Sequence, residues 1–373
     1  MSLHIAIAVL RYFPYGGLER NMLAIAEELQ SRGHHVHIYT LNWEGEKPNN
    51  ISVTLFKSKG FTNHARAMNF ANEFSQASEN ANIRVGFNRL PNLNVCYVAD
   101  ACFKEKAING RHFLYRFSPR SRAFLALENA VAARSSKTQL MFISPQQLAD
   151  YQHHYSLSDA RFILLPPGIK RNRCIPDDYT ERRASLREQW KIKKDEKILL
   201  ALGSDFWRKG LDRSIHAVAK RNDAHLKLWV VGEGNPEKFI ALAKSLNVES
   251  QIQFLGARDN VEEFLWMSDL LLHPARSEAA GACLVEAIVA GLPVIATQEC
   301  GFSHYVSQFD MGEVITQHES ETLLDEKIHH LLSTPREHWL ARAKVAAADT
   351  SLFSRSTAAA DYIETCAQSV QAP

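Results

Sequence analysis

Apolar residues in this chain follow two rhythms. Short runs such as His4 to Leu10 are apolar almost throughout, whereas Leu18 to Ser31 places Leu18, Met22, Ile25, Ala26 and Leu29 at helical spacing. Gly33 ends that helix and His35 to Leu41 is the next strand, so the chain opens with a βαβ unit. Its strand-to-helix turn, Tyr12 to Gly17, carries the glycine pair Gly16-Gly17. Further strands are expected at Ser52 to Phe56, Ile83 to Phe87, Val95 to Ala99, Leu140 to Ser144 and Phe162 to Leu165, with helical patterns between them. This alternation predicts a doubly wound α/β domain.

Leu165-Pro166-Pro167-Gly168-Ile169 closes that domain, because two prolines and a glycine continue neither strand nor helix. A polar connector, Lys170 to Asp178, and a helix, Tyr179 to Lys191, lead into a second series of strands. These are Lys197 to Leu202, Leu226 to Gly232, Ile252 to Leu255, Leu270 to His273, Pro293 to Thr297 and Glu313 to Thr316. The pattern predicts a second Rossmann-like domain over 169–353, after a first over 1–168, and an amphipathic C-terminal helix within 354–373.

Composition agrees with two globular domains: 373 residues, 46% hydrophobic and 23% charged, can bury two cores. No apolar run approaches the roughly 18 residues of a spanning helix. The amino end enters a strand directly, without the basic segment and cleavage site of a secretory signal, which points to a cytoplasmic location. Six cysteines are scattered with no C-x-x-C pair, so neither a disulfide framework nor a zinc site is expected. The net charge of +2 argues against a globally basic nucleic-acid binder. G-x-G-x-x-G is absent from the first strand-to-helix turn, which argues against a nicotinamide enzyme.

The chemistry concentrates in His273 to Ala296, a strand, a small-residue loop, a helix from about Gly281 to Val289 and a second strand. Such a loop aims the first N–H groups of the helix, and its dipole, beyond the strand's carboxyl end, where a phosphate fits. Gly281, with Ala280 and Ala282, permits close approach. Glu278 and Glu286 flank the helix start; they read equally as a cap and a solvated helix residue or as two holders of a sugar nucleotide. Gly203 to Asp212 leaves another strand and sets Arg208 and Lys209 at a helix start, an anion site or a solvated pair. Asp100 follows the Val95–Ala99 strand, either as a helix cap or as a base candidate. Phe103 to Leu127 interleaves Lys104, Lys106, Arg111, Arg116, Arg120 and Arg122 with aromatic and aliphatic residues, a composition suited to an anionic membrane surface or a phosphorylated acceptor.

The run from Glu278 to Glu286 resembles the E-x7-E motif of the retaining glycosyltransferases of the GT-B fold, family 4. Lys209-Gly210 is similar to that family's K-G, Val230 to Gly234 to its V-G-x-G strand end, and Gly256 to Asp259 to the segment beside the base. The resemblance implies two Rossmann-like domains facing across a cleft, with the C-terminal helix crossing back to the first. It implies that Glu278 holds donor-sugar hydroxyls and Glu286 the ribose. Gly203, Gly232, Arg258, Ala280, Gly281, Ala282, Leu284 and Val285 then meet the donor, and Gly16-Gly17 leans over its diphosphate. Two departures stand out. Ala280 replaces an aromatic residue often found there, which leaves the contact to backbone, and Ser204 replaces an arginine, so that Arg208 or Arg173 must supply the second phosphate charge.

Tyr12-Phe13-Pro14, Gly-Ser-Asp-Phe, Pro-Pro-Gly-Ile and Glu-Ala-Ala-Gly resemble the branch of the family that glucosylates lipopolysaccharide core. That resemblance implies UDP-glucose as donor, an inner-core heptose as acceptor and peripheral attachment to the inner leaflet of the cytoplasmic membrane. No D-x-D stands in a loop suited to a metal, so no metal cofactor is expected, and Glu278, Asp100, Lys209 and Arg208 are the expected catalytic residues. A nucleotide-sugar epimerase and a periplasmic sugar-binding protein are the competing readings. The basic segment counts against the first and the absent signal against the second.

Overall fold

The computed structural model describes residues 2–14, 16–109 and 113–371. The chain forms two compact units, Met1–Gly168 with Ser354–Pro373, and Ile169–Phe353.

The first unit is built on strands β1 (His4–Ala8), β2 (His35–Thr40), β3 (Ser52–Leu55), β4 (Ile83–Gly86), β5 (Val95–Val98), β6 (Gln139–Phe142) and β7 (Phe162–Leu164). They lie in the order β3-β2-β1-β4-β5-β6-β7, every neighbouring pair parallel. Helices on both faces explain why β1 and β5 are apolar at nearly every position: a parallel strand has no solvent side. Phe70 and Phe74 of the helix Asn63–Ala77 pack with Tyr39, Cys96, Leu140 and Phe142 in one core. The strand β1 ends before the apolar run does, because the Leu10 N–H donates to Asn88 Oδ1 (2.7 Å) and leaves the ladder.

The C-terminal helix Arg355–Gln371 packs on the helix Gly17–Ser31 within this unit. Arg32 fixes it there, donating to Asp361 (2.6 Å) and Glu364 (3.1 Å) while also holding Glu28.

The basic segment is divided into a helix Phe103–Asn109, a 3-10 turn Phe113–Phe117 and a helix Pro119–Ala132. Pro119 sets the second boundary: the residue before a proline is barred from helical geometry, so Ser118 is extended and caps the new helix by accepting from the Ser121 N–H (3.1 Å). Glu128, fully buried, ties the segment down. It accepts from the N–H groups of Phe103 (2.6 Å) and Lys104 (2.9 Å) and from the hydroxyls of Tyr155 (2.8 Å) and Tyr151 (3.1 Å), and it pairs with Arg89.

The second unit contains β8 (Lys197–Leu202), β9 (Leu226–Val231), β10 (Ile252–Gly256), β11 (Leu270–His273), β12 (Val294–Thr297) and β13 (Gly312–Ile315), in the parallel order β10-β9-β8-β11-β12-β13. In each sheet the winding reverses once, between β1 and β4 and between β8 and β11. Open α/β sheets bind ligands beyond the carboxyl ends of the strands at such reversals.

Candidate active site

At the second reversal the loops after β8 and β11 meet. Past β8 the backbone turns at Gly203, whose φ of +123° favours glycine, and a Cβ there would stand only 3.1 Å from Lys209 Cε. Glycine therefore lets the Lys209 side chain run across the strand end to Glu278, with which Lys209 Nζ pairs directly. Arg208 donates from Nη1 to Glu278 Oε2 (2.9 Å) and the Ser277 carbonyl (2.9 Å), while its Nε meets Asp205 (3.1 Å). Two cations thus converge on one carboxylate, beside the helix Ala282–Val289, whose N-cap is Gly281 with φ +80°.

Electrostatics fixes the charge states. Burial raises the Glu278 carboxyl, but Lys209 and Arg208 outweigh it and bring the group down to about 2. Burial opposes the charge of Lys209, which the neighbouring Glu278 nevertheless helps hold above the ordinary lysine value. His273, fully buried at the end of β11, is pushed down to about 3 by burial and by Lys209, and is therefore neutral. Lys209 and Arg208 stand together beside the helix start, an arrangement that can bind a phosphate and stabilise one as it leaves.

A segment that the sequence reading passed over pins the carboxylate loop. The Glu278 N–H donates to Glu299 O (3.2 Å), the Gly301 N–H to Glu278 O (3.1 Å) and the Phe302 N–H to Ala280 O (2.7 Å). The available signal was Gly301 soon after the carboxyl end of β12. These bonds occupy the Ala280 carbonyl, while the N–H groups of Gly281 and Ala282 open the helix. Leu284 and Val285 are fully buried, and the Leu284 N–H is given to Gly281 O (3.0 Å).

Of the two arginines considered for a second charge, Arg208 stands beside Lys209 on Glu278, whereas Arg173 pairs with Glu262 and its Nε lies 3.7 Å from Glu286 Oε1. Gly232, φ +148°, lies against the Gly203 carbonyl and donates to Gly256 O (2.9 Å), which brings the ends of β8, β9 and β10 together. Arg258 is exposed, donates to Leu255 O (3.0 Å) and lies 5.7 Å from the centre of the Trp190 ring.

At the first unit's reversal, Gly16, Gly17 and Asp100 border one cavity of about 680 Å³. Asp100 is exposed, with Arg89 Nη2 3.5 Å from its carboxylate. It does not cap the helix Phe103–Asn109, whose first N–H groups are taken by Glu128.

Comparison with known proteins identifies the family. Residues 15–173 match glycosyltransferase family 4 and residues 182–346 match glycosyl transferases group 1. The lipopolysaccharide glucosyltransferase WaaG of Escherichia coli (strain K12) is 40% identical over 366 residues, 96% of this chain and 98% of WaaG. The chain belongs to this glycosyltransferase family. A crystal structure of WaaG, described as a glycosyltransferase involved in lipopolysaccharide biosynthesis, aligns with a TM-score of 0.90 at 39% identity, over 96% of this chain and 99% of that one. The fold of this glycosyltransferase is accordingly GT-B. Anabaena HepE, solved with UDP and glucose, shares the fold alone, with a TM-score of 0.74 at 17% identity over 98% of this chain and all of that one (100%).

In this glycosyltransferase the six cations of the basic segment separate into groups. Lys104 donates to His154 O (3.0 Å) and lies over Tyr155, and Arg116 donates to Ile108 O (3.1 Å). Arg111 lies outside the described residues. Lys106, Arg120 and Arg122 are exposed, near in sequence to Leu114 and Phe117, which are 66% and 64% exposed.

Proposed function

We propose that this glycosyltransferase moves glucose from UDP-glucose to an inner-core heptose of lipopolysaccharide, with retention at the anomeric carbon and without a metal ion. The observation that carries the reading is the Lys209–Arg208–Glu278 cluster in a chain 40% identical to WaaG over 96% of its length. Lys209, Arg208 and the start of the helix Ala282–Val289 meet the β-phosphate as the glycosidic C–O bond breaks. Glu278 accepts from donor-sugar hydroxyls and Glu286, steadied by Arg173, from the ribose. The acceptor oxygen forms its bond to the anomeric carbon on the face the phosphate leaves, and its proton passes to a phosphate oxygen. A carboxylate held down at about 2 is a poor base and a poor nucleophile, which supports Glu278 as a binding group.

UDP release should be followed with a panel of nucleotide sugars and deacylated lipopolysaccharide truncated after its heptoses. Acceptor-dependent release with UDP-glucose is expected; silence with every donor would remove this substrate. Turnover should survive exhaustive chelation, whereas a loss restored by Mg²⁺ would overturn the metal-free scheme.

The acceptor is lipid-anchored, and the exposed Lys106, Arg120 and Arg122 with Leu114 and Phe117 fit peripheral binding to the anionic inner leaflet of the cytoplasmic membrane. No helix among the described residues is long and apolar enough to cross a membrane. Each cation near such a surface contributes about 1 kcal/mol, so the triple change to glutamine should weaken vesicle binding about a hundredfold. Sedimentation with anionic and neutral vesicles measures it, and unchanged binding would free the segment of this role.

A further inference from the structure

The loop after β8 carries Lys209 and Arg208, the loop after β11 carries Glu278, and the ion pairs between them are the bonds a donor must loosen. In the transfer scheme the diphosphate takes the two cations and sugar hydroxyls take the carboxylate. That pairing therefore cannot set the spacing of the loops during reaction. Charges stabilise a transition state best when they are already in place, so another contact has to hold the two loops in register.

Arg276, two residues before Glu278, spans the gap. Its N–H donates to Arg208 O (2.8 Å) and its Nη1 to Trp207 O (2.8 Å). The guanidinium also forks onto Asp212 in the first turn of the helix Leu211–Arg221, Nη1 to Oδ1 (2.8 Å) and Nη2 to Oδ2 (2.7 Å). Burial raises the Asp212 carboxyl, but Arg276 brings it below the ordinary value. The Arg276 Cζ lies 3.8 Å from the centre of the Trp207 ring, and Trp207 is 60% exposed, so the stack and not burial holds that indole. Gln317 Nε2 donates to Arg276 O (2.8 Å) and fixes the arginine from its other side. The backbones run close here: a Cβ on Gly210 would stand 2.0 Å from Pro274 O. None of these bonds uses Lys209 Nζ, the Arg208 guanidinium or the Glu278 carboxylate.

We propose that Arg276 is a positioning residue for transfer: it clasps the loop after β8 to the loop after β11, so that Lys209 and Arg208 keep their places opposite Glu278 once the donor separates the pairs. This rests on the transferase reading above. Lysine cannot replace it, because an ammonium has neither the planar fork for Asp212 nor the flat face for the indole. A further phosphate-binding cation would instead act through its charge, which lysine keeps.

Arg276→Lys and Arg276→Gln in the full chain test the clasp. Both should lower kcat by about tenfold to a hundredfold, the penalty of a misplacement on the order of 1 Å. The UDP-glucose KM and the calorimetric affinity for UDP should stay within about twofold, because the long side chains of Lys209 and Arg208 still follow a bound diphosphate. In a Glu278→Gln background, Arg276→Gln should cost less than about threefold in kcat, since residues that act as a unit are not additive.

An unchanged kcat in both single variants, or losses that multiply fully in the double variant, would overturn the proposal. UDP affinity lost with glutamine and kept with lysine would make Arg276 a phosphate cation and overturn it equally. Wild-type turnover reports on the transferase reading separately. If it is absent, deuterium exchange without substrate still decides the clasp: Arg276→Gln should speed exchange in residues 203–210 and 274–281 together, and unchanged exchange in either loop counts against it.

Discussion

Glu278→Ala is expected to lower kcat/KM for transfer by about 10²–10³-fold, the range seen when one group aimed at the reacting centre is removed. UDP binding should persist. Glu278 holds Lys209 and Arg208, and without it both cations remain beside the helix start, free to pair with the diphosphate. Lys209→Ala behaves differently: it removes the charge that meets the phosphate and should weaken UDP binding and transfer together. Calorimetry with UDP alongside turnover distinguishes the two, and an equal loss of UDP affinity in both variants would refute these roles. The cluster also has a defined acid limit. Its carboxyl, at about 2, lies below the ordinary value of 4.5, so the pairing contributes fully above pH 4.5 and is lost as the pH falls toward 2. Activity that declines near neutrality must therefore report another group.

The second large effect is on stability. Glu128→Ala should destabilise the first unit by about 3–5 kcal/mol, the cost of breaking a buried ion pair from one side. The change leaves the Arg89 guanidinium, two helix N–H groups and two tyrosine hydroxyls without their common acceptor. Arg89 also reaches Asp100, so the loop that carries Asp100 loses its support. Denaturant unfolding should show one transition moved to lower concentration and the other, from the second unit, unmoved. UDP binding by the second unit should remain. A loss below about 1 kcal/mol, typical of an exposed pair, would mean that the hub is dispensable.

Much of this was legible along the chain. The thirteen strands among the described residues coincide with the apolar runs, their ends shifted by a residue or two where side chains replace the ladder, as Asn88 does at Leu10. The E-x7-E spacing, the K-G pair and Gly281 stand past the ends of β8 and β11, where the winding of the second sheet reverses. Glu128 was illegible: a single acid on a helix looks in sequence like any solvated glutamate, and burial alone sets it apart.

The sequence by itself determined two parallel α/β units, because central strands covered on both faces are apolar at nearly every position and that requirement is written locally. It also determined the residue types of the cation–carboxylate cluster. Only the tertiary structure decided which of them meet. The order of strands places the loop after β8 beside the loop after β11, so that Lys209 and Arg208 reach Glu278, while Arg173 is drawn to Glu262 and Glu286. Local periodicity records which face of an element is apolar; the company a residue keeps there depends on how the whole sheet is wound.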